Sequence, residues 1–211
     1  MSGVGLTGKL ARVASVVFIA ISPVVLYVAV TRFSVMKAAL VIAGWITVRT
    51  LPAALGTVSR DQLIAAIKLP LVAIAFSVLG ALTNNRGLLL LIPSATQLGF
   101  AWVFAASLRP GAKMPLVEQF ARMQKAALGE DEIKYCRTVT WIWALYLAAC
   151  AVAGIVLAWV ASPEVWALFT GVGAYVLVAV LFAGEFTFRK LRFRNPEGSA
   201  IDRALFRWFP R

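Results

Sequence analysis

The 211-residue chain has no histidine, two cysteines and nine acidic residues. Without histidine there is no Ser-His-Asp or Cys-His hydrolase, no His-ligated zinc or haem, and no His-dependent acyltransferase. Paired Asp residues that could hold a metal for phosphotransfer inside an apolar segment are also missing. Cys136 and Cys150 lie on what reads as one helix, about 21 Å apart along its axis, so they cannot form an intrachain disulfide. They read as small packing residues.

Charge is scarce as well. Only 14% of residues are charged and 61% are apolar, against about 25% and about 45–50% in an average soluble domain. Mean hydropathy is +0.85. Such a chain cannot cover its surface with polar groups, which predicts an integral membrane protein with no soluble second domain. Lys and Arg number 21, for a net charge of +12. In so apolar a chain this excess meets anionic lipid headgroups rather than nucleic acid.

The expected fold is all-α, a polytopic transmembrane bundle of about six spans of roughly 20 residues each. Apolar runs place them at 13–30, 33–52, 63–82, 88–108, 139–160 and 165–188. The second carries Lys37 and Arg49 and reaches across only if both stems snorkel. Asn84-Asn85-Arg86-Gly87 predicts a tight turn between the third and fourth. Pro93, Ser94, Thr96 and Gln97 in the fourth must find partners away from lipid.

Residues 109–138 form the main extramembrane segment. Leu116, Phe120, Met123 and Ala127 fall on one helical face, predicting an amphipathic helix in the interface that Gly129 ends. Glu130, Asp131 and Glu132 suit the positive end of a new helix that continues into the fifth span, where Trp141 and Trp143 mark entry. Ser162-Pro163 makes a short turn to the sixth.

With both termini cytoplasmic, 17 basic residues lie inside, Arg32, Lys37 and Arg86 lie outside, and Lys68 remains in the membrane. This satisfies the positive-inside rule. Expected contacts with anionic headgroups are Arg122, Lys125, Arg189, Lys190, Arg192, Arg194 and Trp208, the last five in a basic tail over 189–211.

Three constellations bear on function. Glu185 and Lys68 are charges near the inner ends of the sixth and third spans, and an intramembrane charge is a functional candidate. Glu185 can equally pair with Arg189 at i, i+4, and Lys68 can snorkel. Lys68, Pro70, Ser77, Pro93, Ser94, Thr96 and Gln97 in spans three and four could line a midplane site, or the hydroxyls can bond back to their own helices. Lys68, Gln97 and Glu185 together form the candidate polar site. Ala144, Ala148, Ala151 and Ala158, with Gly154 at the margin, read as a stripe for close helix contact.

Ser107-Leu108-Arg109-Pro110, Pro115 to Arg122, Tyr135 to Trp143, Trp166 to Phe169 and Phe182 to Glu185 together resemble a family of small bacterial inner-membrane proteins. Genes of that family commonly sit in clusters for aryl-polyene-like or related fatty-acyl products. The resemblance covers residues 85–194. The fifth and sixth spans are also similar to bacterial intracellular septation membrane proteins. An Asn associated with the middle of the fifth span in both groups is replaced here by Ala148, Ala149 and Cys150.

The resemblance implies a non-catalytic accessory of lipid-like synthesis that scaffolds, binds or helps move an acyl-lipid product. Biosynthetic enzymes would be partners at the cytoplasmic face. Condensing-enzyme chemistry does not fit a chain without histidine. The alternative is a small transporter or lipid flippase whose path is lined by Lys68, Gln97 and Glu185. No metal or cofactor is expected.

Overall fold

The computed structural model describes residues 21–22, 24–55, 60–112, 114–124 and 127–193, with the backbone alone at 49–55, 60–69 and 124. Lys125, Arg194 and Trp208 therefore lie outside the described residues, as does the side chain of Lys68. The described residues are mostly helical, with no strand among them. In order they form α1 (24–32), α2 (Val35–Leu55), α3 (Arg60–Leu82), α4 (Arg86–Leu90), α5 (Ile92–Ala106), α6 (Leu116–Gln124), α7 (Glu130–Val160), α8 (Pro163–Leu168) and α9 (Ala174–Arg192). They fall into two compact units, one from residues 1–102 and 146–173, the other from 103–145 and 174–211.

Two stretches, Glu130–Val160 and Pro163–Arg192, are long and apolar enough to cross a membrane. They correspond to the fifth and sixth expected spans. Shorter apolar helices run Val35–Val48 and Pro70–Leu82 within the second and third. Of the first, residues 13–20 lie outside the described residues.

The fourth expected span is two helices rather than one. Pro93 has no N–H to return to the preceding turn, and the chain tightens before it, with Leu91 N–H donating to Leu88 O at 3.3 Å. The sixth is also interrupted: Phe169–Gly173 is a π-helical turn between α8 and α9. Gly171 and Gly173 are weak helix formers, which lowers the resistance to such a break.

In the first unit the core consists largely of small or branched residues, among them Ala29, Val30, Ala38, Ala39, Ile42, Ala73 and Leu89. Small side chains let helix backbones approach. The α3–α4 hairpin closes as its sequence predicts. Asn84 takes a left-handed φ of 49°, and Asn85 caps α4 by accepting from Gly87 N–H at 2.9 Å. Gly87 therefore belongs to α4 rather than to the turn. Arg86 Nη2 donates to Phe33 O at 3.0 Å, tying this turn to the α1–α2 turn.

Ser94 and Gly154 approach each other closely. A Cβ added at Gly154 would lie 2.5 Å from Ser94 Oγ. The Ser94 hydroxyl is buried without a partner among the described residues, whereas Ser77 and Thr96 bond back to Ala73 O and Ile92 O at 2.9 Å. Gly154 thus keeps the close-packing role expected of the small-residue stripe.

In the second unit, α6 ends at Gln124, so Ala127 is not on its apolar face and Gly129 does not stop it. Gly129 serves α7 instead, its N–H donating to Glu132 Oε2 at 2.8 Å, the reach-back half of a capping box. Glu130, Asp131 and Glu132 occupy the first turn of α7, as the helix dipole favours. Cys136 and Cys150 are buried, free thiols on this one helix.

Candidate functional site

The second unit contains a groove of about 640 Å³ between the N-terminal half of α7 and the C-terminal half of α9. One wall carries Asp131, Tyr135, Thr138, Val139 and Ile142, spaced as one helical face. The other carries Val180, Leu181, Gly184, Glu185, Phe188 and Arg192. The helices run antiparallel here, so polar groups collect at one end and apolar groups at the other.

At the polar end Glu185 Oε1 pairs with Arg189 Nε at 3.4 Å, the i, i+4 partnership read in the sequence. The Tyr135 hydroxyl lies 3.4 Å from the same carboxylate oxygen and 3.5 Å from Glu185 O, and donates toward both. Tyr135 is held in place by Phe188, stacked at 5.9 Å, and Phe193, edge-on at 5.4 Å. Lys134 and Asp131 add charge from α7, and Arg192 adds it from α9. Thr138 donates to Lys134 O at 3.2 Å, so its hydroxyl is satisfied within its own helix.

Trp143 lines the apolar end. Its ring lies 4.7 Å from Phe182 and 6.1 Å from Phe104, distances that suit aromatic packing. Midway, Gly184 leaves a gap: a Cβ built there meets nothing within 4 Å.

α6 is fastened beside this region through two of the backbone donors that a helix start leaves without partners. Leu116 N–H donates to Ser107 Oγ at 3.0 Å and Val117 N–H to Thr140 Oγ1 at 3.3 Å. Glu118, 5% exposed, pairs with Arg122 at 2.7 Å, while Phe120 and Met123 point outward. Arg122, expected to meet headgroups, is thus engaged with a buried carboxylate.

The expected polar trio is not assembled in one unit. Gln97 is half-buried on α5 in the first unit, and Glu185 belongs to the second. Arg189 is likewise committed, to Glu185. Lys190 lies 5.8 Å from the Phe186 ring, and Arg192 lies 5.7 Å from the Phe193 ring. Tyr135 is the site residue that sequence reasoning missed. Its partner is 50 residues away in sequence, and the available signal was its place on the polar flank of the fifth expected span, with Glu185 near the inner end of the sixth.

Comparisons with protein families, curated proteins and solved structures return no match.

Proposed function

We propose that the chain is a multi-pass inner-membrane protein that binds an acyl lipid in the α7–α9 groove without acting on it chemically. The observation that carries this reading is the groove's gradient, from charged and phenolic groups at one end to aliphatic and aromatic walls at the other. Few precisely placed polar groups over an apolar body are what an amphiphile requires. The membrane setting is supported by exposure: only 28% and 17% of the apolar windows of the two long helical stretches are buried. Core helices of a water-soluble protein would hide such surfaces, because contiguous exposed apolar patches are confined to interaction sites.

The six-span arrangement with cytoplasmic termini, and a role beside acyl-chain biosynthetic enzymes, belong to the same reading. They are supported by the charge distribution and by the family resemblance of residues 85–194. In this arrangement Phe120 and Met123 of α6 enter the headgroup layer of the inner leaflet.

The test is lipid retention. Protein purified in mild detergent should carry a stoichiometric acyl lipid detectable by mass spectrometry, and Gly184→Leu, which fills the groove, should lose it. Equal retention by both would remove the groove from the function. Labelling of single cysteines placed at Arg86 and Arg192 should report opposite sides of the membrane; labelling from one side would overturn the span map.

A further inference from the structure

We infer that the groove takes a single acyl chain ending in an anionic group, with the anion held between Lys134 and Arg192 and the chain stopped at Trp143. This rests on the acyl-lipid reading above and specifies its ligand.

Charge decides the head. Four charged side chains line the mouth: Asp131, Lys134, Glu185 and Arg192. Glu185 is offset by Arg189 at 3.4 Å. Asp131, Lys134 and Arg192 form no ion pair among the described residues, which leaves two cations facing one carboxylate. Asp131 sits in the first turn of α7, where the helix's positive end partly offsets its charge. The mouth therefore carries a surplus of positive charge, with one cation on each wall. A carboxylate or phosphate meets that surplus, whereas a quaternary ammonium would be repelled.

Volume and depth decide the tail. A groove of about 640 Å³ lies within the roughly 300–1,000 Å³ range of sites for one small ligand. From Tyr135 to Trp143 the helix rises about 12 Å. Between them the walls are Val139 and Ile142 against Val180 and Leu181, and the Thr138 hydroxyl is turned back on its own helix. At the apolar end Trp143 packs against Phe182 and Phe104, side chains that a longer chain would have to pass. Trp143 is thus the residue that sets chain length.

The experiment uses the full chain in phosphatidylcholine nanodiscs and four probes with one ten-carbon tail, matched to the roughly 12 Å of groove: decanoate, decyl phosphate, decanol and decyltrimethylammonium. Both anions should bind about tenfold or more tighter than the alcohol, the size expected of two partly exposed charge contacts. Changing Lys134→Gln together with Arg192→Gln should bring the anions down to the alcohol's level. In a series of shorter and longer carboxylates, Trp143→Leu should shift the preferred length upward, and Trp143→Phe should do so to a smaller extent with less disturbance of packing.

Equal binding of all four probes, with Gly184→Leu still blocking them, would overturn the head assignment and leave the acyl-lipid reading standing. Binding of no probe would overturn both. Binding of inorganic phosphate as tightly as decyl phosphate would show a bare anion site and overturn the proposal, as would an unchanged length preference in both Trp143 variants.

Discussion

Gly154 and Gly184 are both helical glycines in strongly apolar segments, yet they do opposite things. At Gly154, in the first unit, a side chain would collide with Ser94 Oγ at 2.5 Å; at Gly184, in the second, it would meet nothing within 4 Å. One glycine exists so that a neighbour can come close, and the other leaves a space. The contrast extends to their surroundings. The first unit is packed through alanines and a buried hydroxyl, which suits helices associating by close backbone contact. The second keeps charged, phenolic and aromatic groups around a cavity, an arrangement that serves a ligand better than it serves packing.

The largest effect that can break this comparison is expected at Gly154. Gly154→Ala should destabilise by about 2 kcal/mol through overpacking, seen as a lower unfolding midpoint in detergent. Ser94→Ala in the same chain should recover most of that loss, because the added Cβ would then face Ser94 Cβ at 3.8 Å. A neutral Gly154→Ala would mean that the contact is not tight.

Next comes Gly184→Leu. It should weaken binding of every amphiphile about tenfold or more while raising stability by about 0.5–1 kcal/mol, since glycine is a poor helix residue. A fall in stability would mean that the groove is already filled.

Arg122→Ala leaves Glu118 buried without its cation, and should cost about 1–2 kcal/mol, less than a fully buried pair because Arg122 is partly exposed. Thermal unfolding at neutral pH would measure it, and the variant Glu118→Gln with Arg122→Ala should recover part of the loss.

The smallest effect belongs to Glu185→Gln. An i, i+4 pair at the polar end should contribute about 0.5 kcal/mol, so stability should hardly change. A large loss would give Glu185 a structural weight that its distances do not support.

What could be read in the sequence was whatever acts within a few residues. The acidic start of α7, the Asn84-Asn85 turn, the Glu185 and Arg189 pair, and the placement of both cysteines on one helix all follow from capping, dipole and i, i+4 geometry. Pro93 announced a disturbance, though not a break at Leu91. The α6 face was read one turn too long, because Gly129 turned out to cap the next helix rather than end the previous one.

The chain's apolar composition and its basic excess were settled by the amino acids alone, since burial preference and charge belong to side chains wherever they lie. The meeting of Tyr135 with Glu185, the Ser94 contact and the groove are different in kind. Each depends on the distance between two helices and on which turn faces which, and such registers arise from the summed packing of many side chains far apart in the chain.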